Sequence, residues 1–177
     1  MSASVDGSAN WTFPANVSVT GRVQASTQPC FFAQLSADDL NQTGNGTNYF
    51  LGTNVGMTER FDIGANFSPG PVAGGCFFTA PVTGKYYLHA NLRMGGLTAG
   101  MSTANMSIVT TAATYSGARN GINGMRDNSN ICDMEMSVIA DMTAGNTAKV
   151  SVQISNATLV ADLLGGIFTY FEGYLIG

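Results

Sequence analysis

Residues 84–94 read Gly-Lys-Tyr-Tyr-Leu-His-Ala-Asn-Leu-Arg-Met, and no other stretch limits the fold so tightly. Tyr86, Leu88, Ala90, Leu92 and Met94 share one face of an extended chain. Tyr87, His89, Asn91 and Arg93 share the other. A helix would scatter the apolar set around its circumference. A strand collects it, because successive side chains point to opposite faces. Upstream, Gly74-Gly-Cys-Phe-Phe-Thr79 is a second apolar run, separated from the first by Ala80-Pro-Val-Thr-Gly84. Pro81 has no N–H to give a ladder, so it ends the earlier strand. The two runs predict a central hairpin.

The same period of two recurs downstream. Cys132, Met134, Met136, Val138, Ala140 and Met142 alternate with Asp133, Glu135, Ser137 and Asp141. After a turn at Thr143-Ala-Gly-Asn146, Ala148, Val150, Val152 and Ile154 alternate with Lys149, Ser151 and Gln153. This predicts a second hairpin with a short loop. Shorter strands are expected at 29–36, 49–51, 59–63, 105–115 and 159–164. In the range 105–115, Met106, Ile108, Thr110 and Ala112 share a face. Residues 37–48 and 116–130 read as long polar loops, where recognition is commonly placed. Asp38 and Asp39 in the first loop, and Arg119 and Arg126 in the second, are the candidate ligand-binding residues. The paired aspartates lack the spacing of a calcium loop and read more simply as solvated.

The last strand, 167–176, breaks the alternation. Phe168, Tyr170, Phe171, Tyr174, Leu175 and Ile176 supply both faces with apolar surface. An antiparallel strand of this kind has to be covered twice. One cover is the core. The other is either a second copy of the chain or the chain's own N-terminal segment. On the first reading Phe168, Tyr170, Phe171, Tyr174 and Ile176 form an inter-subunit interface.

That N-terminal segment divides the chain into an arm with an anchor or stem strand, 1–27, and a body, 28–177. Residues 1–10 are small and polar. Trp11, Phe13, Ala15, Val17 and Val19 then alternate with polar residues, and Pro14 marks an edge strand. The segment is either an extra strand on its own domain or an anchor through Trp11, Phe13, Val17 and Val19. The sole Trp favours the anchor, since Trp is enriched at interface centres.

Three strings resemble the C1q-like (C1q/tumour-necrosis-factor) jelly-roll family. Phe78-Thr-Ala-Pro-Val-Thr-Gly-Lys-Tyr-Tyr-Leu88 is similar to its F-x-A-P-x-x-G-x-Y-x-F/L motif. Phe171-Glu-Gly-Tyr-Leu-Ile176 is similar to its closing F-x-G-x-L-I strand. Pro29-Cys-Phe-Phe-Ala-Gln-Leu-Ser36 resembles the string that opens many such domains. The resemblance implies an all-β, antiparallel jelly-roll sandwich over residues 28–177, carried behind a short arm, and a homotrimer packed about a threefold axis.

Several function classes fit poorly. With seven Lys and Arg, unclustered, and a net charge of −4, the chain offers no stripe to follow phosphates. No apolar run is long enough to span a membrane. Met1-Ser-Ala-Ser-Val-Asp6 lacks a basic segment leading into an apolar core, so no signal peptide is expected. His89 is the sole histidine, and no nucleophile, zinc or phosphate-loop motif accompanies it, so no catalytic residue, metal or cofactor is expected. Asp133 and Glu135 read as the solvated side of an alternating strand. Cys30, Cys76 and Cys132 are odd in number and sit among apolar neighbours. They read as buried thiols, although a disulfide cannot be assigned or dismissed from sequence.

Only 10% of residues are charged, while Gly, Asn, Ser and Thr are abundant. Residues 7–21 also resemble segments that precede C1q-like heads in phage fibre proteins. Together these point to a virion-surface protein of a bacteriophage. The expected role is a trimeric decoration (cement) protein or short head fibre bound to other virion proteins through the arm. The alternatives are a tail-fibre tip recognising a host surface receptor, glycan or protein, and a lectin-like C1q module.

Overall fold

The computed structural model describes residues 28–176. Strands β1 (Cys30–Leu35), β2 (Asp39–Thr43), β3 (Asn48–Phe50), β4 (Met57–Ile63) and β5 (Phe67–Ser68) come first. β6 (Phe77–Thr79), β7 (Gly84–Gly95), β8 (Thr103–Thr110) and β9 (Thr114–Asn120) follow, then a single helical turn, α1 (Ile122–Met125). β10 (Cys132–Met142), β11 (Thr147–Ser155), β12 (Ala161–Leu163) and β13 (Tyr170–Leu175) complete the order.

Two antiparallel sheets face each other. The first runs β4-β1-β13-β7-β10, with β12 and β2 continuing it at the C-terminal end of β7. The second runs β5-β6-β11-β8-β9, with β3 also paired to β11. The alternation read in β7 holds in full: Tyr86, Leu88, Ala90, Leu92 and Met94 are all buried. β10 and β11 likewise turn their apolar sets inward. Phe31 joins the sheets. Its ring stacks on Phe67 at 5.0 Å and Phe78 at 4.7 Å and meets the edge of Phe171 at 5.0 Å. Such pairs add about 0.5–1.5 kcal/mol each beyond their buried area.

Neither expected hairpin forms. β6 pairs with β5 and β11, whereas β7 pairs with β10, β12 and β13. β10 pairs with β7, and β11 with β8. Both connections cross from one sheet to the other. The reason is the burial itself. Strands placed in opposite layers point their apolar faces at each other and so supply each other's cover.

The two crossovers fasten each other at one end of the sandwich. The Ala80 N–H donates to the Asn146 carbonyl, and the Gly145 N–H to the Ala80 carbonyl, both at 2.8 Å. The Ala144 N–H donates to Thr83 Oγ1 at 3.1 Å. The wholly buried Tyr86 sends its hydroxyl back to the Val82 carbonyl at 2.8 Å. The Ala-Pro-x-x-Gly-x-Tyr string is therefore a corner that stores its own closure.

The loops expected at 37–48 and 116–130 contain structure. β2 occupies part of the first, with its polarity reversed: Asp39 and Thr43 are buried and Leu40 is 55% exposed. β9 extends to Asn120 and α1 follows it, so the true connection is shorter. Ala112 is exposed in the β8–β9 turn, off the face shared by Met106 and Ile108.

Gly173 explains one motif position. A Cβ there would lie 2.8 Å from Leu88 Cδ2 and from the Tyr87 carbonyl oxygen, and 3.0 Å from Phe31. β13 approaches the core too closely for any side chain at that residue.

Candidate interaction face

The outer side of the first sheet is built of transverse rows, since residues paired across antiparallel strands share a face. One row reads Ile139, Tyr87, Tyr174, Cys30, Ile63, from β10 to β4. The next reads Ser137, His89, Glu172, Phe32, Phe61. Toward the far end of the sheet the residues turn polar and charged: Glu135, Asn91, Tyr170 and Gln34, then Asp133 and Arg93. Beyond Ile139 and Tyr87 the next row is the exposed ion pair of Asp141 and Lys85, so the face is apolar in its middle rows and charged at both ends.

The aromatic side chains form a continuous band. Ring centroids run Phe61 to Phe32 at 6.2 Å, Phe32 to Tyr170 at 5.2 Å, and Tyr170 to His89 at 5.5 Å. His89 lies 6.4 Å from Tyr87, which lies 5.3 Å from Tyr174. Phe61 is 50% exposed, Tyr174 47% and Ile139 60%. A hollow of about 410 Å³ opens between Phe61, Ile63 and Tyr174, with Cys30 in its lining. Contiguous apolar surface of this kind, rimmed by polar groups, is a candidate contact face.

Polar groups within the face are pre-set. His89 Nδ1 and Glu172 Oε1 are 3.0 Å apart. Arg93 grips Asp133 with two parallel bonds, Nε to Oδ1 at 2.8 Å and an Nη2 bond to Oδ2 at 2.9 Å. Its guanidinium also lies 3.5 Å over the Phe168 ring. The Asp133 carboxylate raises the Arg93 pKa, so the cation is fixed. Tyr170 is also pushed up, mainly by burial and then by Glu172.

Of the interface residues expected from sequence, Tyr170 and Tyr174 lie in this band. Phe168 lies at one charged end, under Arg93, and Ile176 just beyond β13, 48% exposed. Phe171 does not belong to it. It is 1% exposed in the core against Phe31, because β13 alternates and position 171 points inward. Sequence reading missed Phe32, Phe61, Tyr87 and Ile139. Each lies on a different strand, and only the register gathers them.

The proposed ligand loops do not converge. Asp38 Oδ1 accepts the Gly165 N–H at 2.8 Å. Asp39 is buried and accepts the Tyr49 hydroxyl; burial raises its pKa, against the lowering pull of the hydrogen bonds. It is a structural carboxyl, closed to a ligand. Arg126 is spent within its own turn, on the Asn123 carbonyl at 3.1 Å and on Asn130 Oδ1. Arg119 lies on β9 opposite Ala104, and its side chain is outside the described set. The arm residues Trp11, Phe13, Val17 and Val19 lie outside the described residues.

Cys30 and Cys76 are free thiols. Burial pushes the Cys76 thiol up to about 11, and its Sγ donates to the Pro69 carbonyl at 2.8 Å. Cys30 is only half-buried, and Cys132 is buried.

No protein-family model matches the sequence, and no curated protein matches it. Solved structures do match. The PRD1 vertex protein P5 aligns at a TM-score of 0.55 and 9% identity, over 86% of this chain and all of that one. Murine APRIL at pH 5.0 aligns at 0.54 and 10%, over 84% and 98%. The globular domain of the zebrafish complement 1qA protein aligns at 0.53 and 14%, over 85% and 98%. At these identities the likeness is one of fold. With two antiparallel sheets crossing over at a Pro-containing corner, the chain has the C1q/tumour-necrosis-factor jelly-roll fold.

Proposed function

We propose that this chain is a non-enzymatic structural protein of a virus particle, a homotrimer whose subunits meet through the aromatic face of the first sheet. The observation that carries the reading is that face. Half-exposed Phe61 and Tyr174 and exposed Ile139 lie contiguous with Tyr87, Phe32 and Tyr170, and nothing among the described residues covers them. A threefold axis beside the band would bring three copies of it together in a closed assembly. The likeness to the PRD1 vertex protein P5 supports a place on a virion.

In this reading the segment with Trp11 and Phe13 seats the trimer on a capsid, as a decoration protein or short head fibre. Three anchors on one rigid body bind far more tightly than one. Light scattering on the full chain tests assembly: a threefold mass is expected, and a monomer overturns it. A full-length Trp11→Ala/Phe13→Ala variant tests seating. It should keep its native mass and lose co-sedimentation with capsids. Retained capsid binding rejects the anchor, and host-cell adsorption by both proteins favours a receptor-binding tip.

A further inference from the structure

The opposite side of the molecule carries a second constructed surface. On the outer side of the second sheet, Phe50, Ser151, Ser107 and Ser116 form one transverse row across β3, β11, β8 and β9. Asn48, Gln153 and Asn105 form the parallel row on one side. Val109 and Thr114 border the other. Three short side chains between rows of longer ones leave a trough of about 550 Å³, with Phe50 closing one end.

The floor is unusual in its hydrogen bonding. Ser107 and Ser116 share a bond of 2.8 Å between their hydroxyls. Ser151 is only 4% exposed, lines the trough, and its hydroxyl has no hydrogen-bond partner among the described residues. Its oxygen is reached from the trough and is not sealed in the core, so it stays open to a group that enters from outside. The amide wall has the same character. Gln153 Nε2 donates to the Gly46 carbonyl at 2.6 Å, which orients its amide, while the Asn105 amide approaches Gln153 Oε1 at only 3.5 Å.

We propose that this trough binds a neutral glycan. Its lining contains hydroxyls, carboxamides, a phenyl ring and a valine, and no charged side chain. Such a set matches sugar hydroxyls, which donate and accept at once, and offers an anion no counter-charge. The neighbouring Lys149 ammonium is committed to the Gly74 carbonyl at 3.0 Å and to the Phe50 ring at 4.0 Å. A peptide binding as an added strand would need a sheet edge, where backbone groups are open, and this trough lies on a sheet face. Adjacent strands lie about 4.8 Å apart, close to the length of one pyranose ring, so serines on three successive strands can follow successive sugars. In a trimer closed through the aromatic face this trough points away from the axis, but the inference does not depend on assembly.

The test uses the full-length, isotope-labelled protein titrated with maltohexaose, cellohexaose, mannohexaose and chitohexaose. A heparin hexasaccharide and oligosialic acid serve as anionic probes. At least one neutral probe should shift the amide resonances of Ser107, Ser116, Ser151 and Gln153 at millimolar concentration. Ser151→Val removes the hydroxyl, suits a strand, and should weaken that binding about tenfold or more. Asn105→Ala, on the wall, should weaken it without touching the floor and serves if Ser151→Val fails to fold. Absence of binding by all four neutral probes, shifts confined to another surface, preference for the anionic probes, or full affinity in the folded variants each overturns the proposal.

Discussion

The outer faces of the two sheets are made by the same rule and have opposite chemistry. Across the first, successive rows present Ile139, Tyr87, Tyr174 and Phe61. Across the second they present Ser151, Ser107, Ser116 and a line of amides. The strands behind both are equally apolar on the inside, and Phe31 couples the layers. The inner faces specify the sandwich, and the outer faces are free to diverge. The contrast teaches where to look for contacts: burial-seeking aromatics on one side, water-competing hydroxyls on the other.

The sharpest way to break the contrast is to charge each face in turn. Tyr174→Glu combined with Ile139→Glu places two carboxylates where the subunits are proposed to meet, and burying unpaired charge costs several kcal/mol at each contact. The native mass should fall to that of one chain. Ser116→Glu on the other face should leave the mass unchanged. Equal effects from the two sites would dissolve the distinction.

A change that both faces share should follow in size. Phe31→Ala removes the ring joining the layers and should cost about 3–5 kcal/mol in denaturant unfolding. Gly173→Ala forces a methyl against Leu88 and the Tyr87 carbonyl, and should cost about 1–3 kcal/mol. If Gly173→Ala is neutral, the close approach of β13 to the core is not limiting.

The pH response of Asp39 is a smaller effect. Burial raises its carboxyl pKa from the ordinary value, against the lowering pull of its hydrogen bonds, so the folded state takes up this proton before the unfolded state does. The ionised form costs stability at neutral pH. That cost is relieved as pH falls through the raised folded value toward the ordinary one. Asp39→Asn should therefore raise Tm most at neutral pH, with the gain shrinking in acid. A gain that grows in acid would reverse the assignment. Smallest of all, Arg93→Lys gives up the paired bonds to Asp133 and the stacking on Phe168. At a partly exposed site this is worth about 0.5–1 kcal/mol, and less in high salt.

Much of the fold was legible because alternation reports which side of a strand is buried. Residues 84–94, 132–142 and 148–154 show this plainly. Alternation does not report the partner. Two adjacent strands with matching patterns look alike whether they form a hairpin or cross between sheets, and both hairpin expectations failed there. β2 was hidden for a different reason: its inward residues are Asp39 and Thr43, satisfied by Tyr49 and by the Thr47 carbonyl, so hydropathy points the wrong way. The surplus of apolar residues in 167–176 did leave Tyr170 and Tyr174 on the outer face, although Phe171 faces inward. The remaining members of the band needed the register of β4, β1, β7 and β10. The serine row was illegible in sequence, since Ser107, Ser116 and Ser151 look like ordinary solvent-facing positions until three strands align them.

One consequence of the first sheet concerns force. β1 lies between β13 and β4 and is bonded to both along its length, and residue 28 leads directly into it. A pull applied at residue 28 along that strand bears on both neighbours at once. It loads the rungs on both flanks together in shear, where an edge strand would peel one rung at a time. Tension entering there is met by the part of the sheet best able to share it.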